Sequence, residues 1–427
     1  MTPFARYRGL LSADMKQLSR GLAAFGSAEM ATRVVRILTI VVIARQVSPT
    51  IMGLAALALS LFEIVRVLAN AGIGQRIIAA DDDSLAAVCN TAHRLFWLWC
   101  LMVCAVQLML SGILALAGMH DIARMLTILS GVYLLMPGGL VQAFLLMREE
   151  RFATIASIAA GQTIADHLLT LGLVLIWPSA WAIVLPKLLT APLWLIGMRR
   201  ARRWASSPEA GLAPWRDFIG FGASILVCEM TNAARAQLDK LLIGAFFGVQ
   251  ALGIYYFAFN AGLGMTTSFI VALGQVLFPR LSAAPDAMAR RRRCRQGLML
   301  GLVLFLPVLA AQVGLAHWYV PLVFGEQWRD AAPLVAVLAL GGVPMIFAAV
   351  ASAWLRANNT PGAEALMTSL AAAAALGGIL AFSGATLMMA AAAYVGGLAL
   401  ILIPGSLYAI YRRHDDKHTV IARRVCA

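Results

Sequence analysis

The run GLAAFGSAEMATRVVRILTIVVIA, residues 21–44, is long and apolar enough to cross a membrane, yet it carries Glu29, Arg33 and Arg36. On a helix turning roughly 100° per residue, these three side chains fall within about 60° of one another. Facing lipid, each would cost about 2.5–3.5 kcal/mol, so the helix must turn this face toward protein or water. The run therefore predicts a polar interior inside a bilayer.

The rest of the chain has the composition to build one. Its 427 residues are 61% hydrophobic and 13% charged, with a mean hydropathy of +0.82, well outside the range of soluble globular proteins. The formal charge of +14 would suit nucleic acid only as a basic stripe on a soluble domain, and no segment is long or polar enough to form one. Six cysteines, Cys89, Cys100, Cys104, Cys228, Cys294 and Cys426, show no disulfide-framework spacing. Cys100 and Cys104 stand one turn apart without a histidine or a second cysteine pair, so they read as small packing residues and no metal is expected. The first 20 residues are mixed polar and basic, unlike a signal peptide.

Apolar runs near 20 residues, broken by charge, Gly or Pro, number twelve: 21–44, 51–71, 95–117, 125–147, 153–176, 179–198, 217–244, 251–278, 297–324, 331–355, 364–382 and 386–411. With the N-terminus placed in the cytoplasm, 25 of the 34 Lys and Arg fall in inner segments. Only Arg45, Arg124 and Arg329 fall outside, and six lie within spans. That asymmetry predicts both termini in the cytoplasm. The basic groups Arg199, Arg200, Arg202, Arg203 and Arg290 to Arg293 with Arg295 read as orientation anchors, or as sites for anionic headgroups or an acidic partner. The outer connections are all short, leaving no room for an extracytoplasmic catalytic domain.

The two halves echo each other at a shift of 200: Glu29-Met30 returns as Glu229-Met230, Gly53 as Gly253, Ala58 as Ala258, and Gly74-Gln75 as Gly274-Gln275. The expected fold is an all-α polytopic membrane protein. It has about twelve transmembrane helices in two six-helix lobes, related by a pseudo-two-fold along the membrane normal, around a central polar cavity. The division places an N-terminal lobe at 1–198, a basic linker at 199–216, a C-terminal lobe at 217–411 and a basic tail at 412–427. Ser206, Ser207, Pro208, Gly211 and Pro214 give the linker its loop character.

Further charge lies within the spans. Glu63, Arg66 and Asn70 follow at i, i+3 and i+7, and Glu229, Asn232, Arg235, Asp239 and Lys240 share about 140° of arc. Glu63 can pair with Arg66, and Glu229 with Arg235 or Lys240, as ion pairs that fix helix packing. Arg33 and Arg36 have only Glu29 nearby on their own helix, a positive surplus suited to a phosphate or carboxylate ligand. Asp166 can titrate and couple transport to a proton or cation, or pair with Lys187. Gln162, one turn earlier, extends that polar face. His167 points about 100° away from Asp166, toward a packing neighbour. Pro137, Pro186, Pro192, Pro307 and Pro344 interrupt spans as bends. Gly244 and Gly248 make a small-xxx-small pair suited to close helix contact.

The segment Leu238-Asp239-Lys240-Leu241-Leu242-Ile243-Gly244, with Gly248, Ala251-Leu252-Gly253, Tyr255, Ala258 and Val276-Leu277-Phe278-Pro279-Arg280-Leu281-Ser282, resembles the second-half signature of bacterial polysaccharide transporters. These are the Wzx-like flippases of the multidrug/oligosaccharidyl-lipid/polysaccharide (MOP) exporter superfamily. Ala44-Arg45 with Ser48-Pro49 and Gly53, Ala71-Gly72-Ile73-Gly74, and Val320 to Trp328 followed by Ala331-Ala332-Pro333-Leu334 resemble the same family. Met265 stands near a position where that family usually has proline. The resemblance implies two six-helix lobes around a cationic cavity. It also implies a cargo, an undecaprenyl-diphosphate-linked oligosaccharide repeat unit moved across the cytoplasmic membrane for exopolysaccharide, capsule or O-antigen assembly. The partners it implies are that lipid-linked oligosaccharide, membrane lipids and polysaccharide polymerase or export machinery; no cofactor, nucleic acid or enzymatic activity follows.

Two other functions fit such a chain, a cation-coupled multidrug antiporter of the same superfamily and a non-transporting scaffold of a polysaccharide assembly complex. The antiporter favours an apolar or acidic site, against the positive surplus of the first span. A polymerase or ligase would need a sizeable outer loop. The absence of a Gly-x-x-x-x-Gly-Lys loop argues against ATP drive within this chain.

Overall fold

The computed structural model describes residues 32–69 and 72–411; Glu29, Asn70 and the side chain of Asn232 lie outside the described residues. Over these residues the chain is almost entirely helical and contains no strand. It opens with α1 (32–46), α2 (Pro49–Val67), the short α3 (Ile73–Ile78) and α4 (Leu85–Leu116). Next come α5 (His120–Leu129), α6 (Val132–Leu135), α7 (Pro137–Arg148), α8 (Phe152–Ile176), α9 (Ala180–Leu189) and α10 (Ala191–Ala201). The remainder is α11 (Arg216–Phe259), α12 (Met265–Ser282), α13 (Ala287–Tyr319), α14 (Ala332–Leu340), α15 (Gly342–Ala357), α16 (Pro361–Ala381) and α17 (Leu387–Tyr411).

Among the described residues, nine helices are long and apolar enough to span a membrane, and a bent pair, His120–Leu135 with Pro137–Arg148, makes a tenth. The 52° bend falls at Pro137, where the ring has no N–H to continue the ladder. α11 holds the run 217–244 and the start of the run 251–278, which continues into α12. Gly248 sits inside α11 at φ 85° and ψ 172°, a left-handed conformation that glycine adopts without steric cost. The run 217–244 therefore ends at a turn before 251–278 begins. Gly248 is that turn, and the small-xxx-small contact expected of Gly244 and Gly248 does not form through it. The run at 21–44 lies only partly within the described residues, as α1.

Two helices start about ten residues before the apolar runs that announce them. α4 begins at Leu85, and its polar first turns have work to do. The Asn90 amide donates to the carbonyls of Ser207 (2.7 Å) and Gly211 (3.0 Å), while its oxygen accepts from the Ser206 hydroxyl (2.9 Å). Thr91 donates to Ala213 O at 2.9 Å. The segment 199–216 is thus pinned to α4, and a loop of Ser, Pro and Gly becomes an ordered strap. Asn90→Leu removes these hydrogen bonds from the strap, each worth about 0.5–1.5 kcal/mol. Limited proteolysis should then cleave within residues 203–215 of the variant well before the wild-type protein. α13 begins at Ala287 because Asp286 Oδ1 accepts from Ala289 N at 2.6 Å, an N-cap that carries the helix through the Arg290–Arg293 run.

The chain divides into two compact units, Met1–Phe257 with Val323–Trp328, and Ala258–Leu322 with Arg329–Ala427. The first unit has a core of α2, α4, α5 and α7 side chains around Phe62, Leu126, Leu129 and Tyr133. Fully buried Gln107 donates to Leu126 O (2.7 Å) and accepts from Tyr133 OH (2.9 Å), so α4 and α5 share a satisfied polar seam. Ser48 accepts from Ile51 N, and Pro49 supplies the first helical φ of α2.

Within this unit, α2 crosses the part of α11 that follows Gly248. A Cβ at Gly53 would strike the carbonyl of Val249, and a Cβ at Gly253 would strike the carbonyl of Pro49. The numbers exchange at a shift of 200, the signature of a two-fold contact in which i meets j and j meets i. The faint sequence echo is a physical crossing at these glycines.

In the second unit, α16 and α17 pack through small residues: Gly378 lies against Ala393, and Gly397 against Ala374. That contact explains the alanine runs at 371–375 and 390–393. Thr266 donates to Gln312 at 2.8 Å, and Trp354 Nε1 to Ala409 O at 3.0 Å.

Candidate functional site

The first unit contains a cavity of about 430 Å³ between α2, the α6–α7 bend, α8 and the α9–α10 pair. It brings together four of the charged residues singled out in the sequence, Glu63, Arg66, Asp166 and Lys187, together with Gln162. Helical spacing explains the convergence. Gln162 and Asp166 are one turn apart on α8, while Lys187, Ala191, Trp194 and Met198 recur at steps of four, three and four along α9 and α10.

Each carboxylate in the cavity has a cation. Arg66 Nη2 and Nε reach Glu63 Oε2 at 2.6 and 2.9 Å, and Lys187 Nζ reaches Asp166 Oδ2 at 2.7 Å. The pairing alternatives are thus the ones formed at both places. Asp166 is buried, with a side chain 8% exposed, and its second oxygen, Oδ1, has no hydrogen-bond partner among the described residues. The apolar wall consists chiefly of Phe62, Met136, Leu140, Phe144, Trp194 and Met198. Phe144 stacks on Phe96 at 5.9 Å with planes 9° apart. Trp194 lies over Gly139, where a Cβ would press against the indole. Sequence reading misses these aromatics because an apolar residue lining a cavity looks the same as one facing lipid. The spacing from Lys187 to Trp194, two turns on one face, is the signal that finds the tryptophan.

Arg33 and Arg36 are half-buried on α1. Thr39, one turn after Arg36, donates from Oγ1 to His167 O at 3.4 Å, which sets α1 against α8. Neither arginine lines the cavity described above. Glu229 and Arg235 are half-buried on α11. Asp239 and Lys240 are buried, 1% and 7% exposed, and close on each other at 3.1 Å, with Tyr255 OH donating to Asp239 Oδ2 at 3.1 Å. Lys240 also donates to Ala236 O at 2.7 Å. This satisfied group does not line the cavity; it ties the two parts of α11 together across Gly248. Among the described residues no cluster of His, Cys, Asp or Glu is arranged to hold a metal.

The motifs behind the family resemblance meet in the same way. Ala44 O accepts from Trp328 Nε1 at 2.7 Å and from Gln327 Nε2, and Arg45 Nε donates to Val323 O at 2.8 Å. Trp328, 1% exposed, stacks on Phe257 at 4.0 Å, and Phe257 meets Phe324 edge-on at 5.1 Å. These side chains cap the C-terminal end of α1, whose last carbonyls lack partners within the helix. The signature residues hold the fold.

A family model described as "Polysaccharide biosynthesis protein" matches residues 42–333. The chain is 25% identical over 293 residues to the teichuronic acid biosynthesis protein TuaB of Bacillus subtilis (strain 168), covering 65% of this chain and 58% of that one. It is 24% identical over 310 residues to the lipopolysaccharide biosynthesis protein WzxC of Escherichia coli (strain K12), covering 71% and 62%. It therefore spans about 60% of the length of these curated relatives. Its fold is that of an inward-facing multidrug resistance MATE family transporter of the MOP superfamily (TM-score 0.69, 14% identity, 91% of this chain and 97% of that one). It is equally that of the lipid II flippase MurJ in an inward closed conformation (TM-score 0.71, 10% identity, 91% and 87%). The match over more than half of the chain settles its family: it belongs to the polysaccharide biosynthesis proteins, and it shares the helical fold of these two transporters.

Proposed function

We propose that the protein is a flippase that carries undecaprenyl-diphosphate-linked oligosaccharide repeat units across the bacterial inner membrane, for exopolysaccharide, capsule or O-antigen synthesis. The observation that carries the reading is a chain of the polysaccharide biosynthesis family with the fold of a lipid II flippase and two half-buried arginines in its first span. A diphosphate leaving water needs charge-assisted donors that stay protonated, and guanidinium supplies a planar fork of them. Arg33 and Arg36 take the diphosphate and any acidic sugars, and the polyprenyl tail remains in lipid.

The protein performs no covalent chemistry in this scheme. Binding and a change of exposure move the headgroup, with membrane lipids and the polymerase or export machinery as partners. Both termini lie in the cytoplasm, as the distribution of Lys and Arg supports. Reconstitution into liposomes bearing the lipid-linked repeat unit tests the reading through the appearance of headgroup on the opposite leaflet.

A further inference from the structure

Two features of the cavity in the first unit are unused by a diphosphate carried on Arg33 and Arg36. Its charges are balanced within it, since Glu63 is taken by Arg66 and Asp166 by Lys187. A ligand of net charge gains little from such a site, because each charge already has its counter-ion. Its polar and apolar surfaces are also segregated. Gln162, Thr163 and the unpartnered, nine-tenths-buried Asp166 Oδ1 stand on α8, while Trp194 offers an indole from α10. A ligand for this site is uncharged, donates at least one hydrogen bond and carries a compact apolar face. A pyranose ring has those properties: its hydroxyls donate to carboxylate and amide oxygens, and its axial C–H face lies against an aromatic plane. The cavity, about 430 Å³, falls within the range of roughly 300–1,000 Å³ usual for small-molecule sites.

The geometry points to this cavity as a sugar subsite: one uncharged pyranose ring of the lipid-linked cargo stacks on Trp194 and donates a hydroxyl to Asp166 Oδ1, with Gln162 bonding a neighbouring hydroxyl. This inference rests on the flippase reading and adds a selectivity step to it. The arginines hold what every lipid-linked cargo shares, the diphosphate, and the cavity reads a sugar. Specificity of this kind is strong, because a buried acceptor left without its hydroxyl penalises the wrong ring.

Binding to the full chain in lipid nanodiscs tests the assignment with three probes. These are undecaprenyl diphosphate, the lipid-linked repeat unit extracted from polymerase-deficient cells of the protein's own host, and the free repeat unit released from it by mild acid. Trp194→Ala should weaken binding of the lipid-linked unit roughly tenfold or more and leave undecaprenyl diphosphate unchanged, while Trp194→Phe keeps most of the affinity. The free repeat unit should compete on wild-type protein and not on Trp194→Ala. Gln162→Leu, which keeps volume and loses the amide, should show the same selective loss, and it carries the test if Trp194→Ala melts early. Equal effects on both lipids, or none on either, would overturn the subsite. If wild-type protein flips the lipid-linked unit yet binds it no better than undecaprenyl diphosphate, the subsite falls and the flippase stands. If wild-type protein neither binds nor flips it, the flippase reading falls as well.

Discussion

Arg33→Ala and Arg36→Ala should each abolish polysaccharide export while leaving the protein at normal levels in the membrane. Both guanidiniums are half-buried on α1, the helix that the Thr39 contact sets against α8. Truncating one partner of a desolvated, hydrogen-bonded charge pair costs about 2–5 kcal/mol. Half-burial places these residues near the lower end, a loss of roughly 30-fold at about 2 kcal/mol. Lysine keeps the charge and loses the fork, so Arg36→Lys should retain partial export. Surface polysaccharide from a deletion strain carrying each variant, read beside an immunoblot of the membrane fraction, checks this. Wild-type export from both alanine variants would remove the diphosphate from these residues.

The second large effect belongs to the glycine crossing. Gly53→Leu and Gly253→Leu should destabilise the protein severely and to similar extents, because each side chain would be driven into a backbone carbonyl of the other helix. Overpacking into flexible side chains costs about 1–3 kcal/mol, and backbone gives less easily, so the cost here lies at or above that range. Thermal melting in detergent should show both variants well below wild type, with the double variant less than additive because the two positions share one contact. A melting temperature unchanged in either variant would mean that the echo at a shift of 200 has no structural contact behind it.

Much of this architecture was legible from periodicity. The apolar runs locate the helices, Pro137 locates the bend, and the steps from Glu63 to Arg66 and from Gln162 to Asp166 locate two charged walls of the cavity. The helix starts were less legible, since the hydropathy of a membrane span says nothing about polar turns that extend past it. Asn90 and Thr91 are helical because they hold the strap at 206–213, and Asp286 launches α13 through four arginines. Asp239 and Lys240 look like site residues in sequence because charge within a span is costly, yet that cost is met locally by each other and by Tyr255. The reverse holds for Trp194, whose apolar character hides a position in the wall of the cavity. Charge in a membrane span marks a need for partners; only geometry tells whether those partners are the protein's own or the cargo's.

The central claim is movement of a sugar headgroup across a bilayer, and proteoliposomes measure it directly. The purified protein is reconstituted with the lipid-linked repeat unit, and a membrane-impermeant glycosidase added outside reports the accessible fraction over time. Wild-type protein should expose headgroups initially sealed inside, until nearly all are cleaved, while the Arg33→Ala/Arg36→Ala double variant should stay at the level of protein-free liposomes. Wild-type vesicles that protect their inner headgroups as fully as protein-free ones would contradict the account.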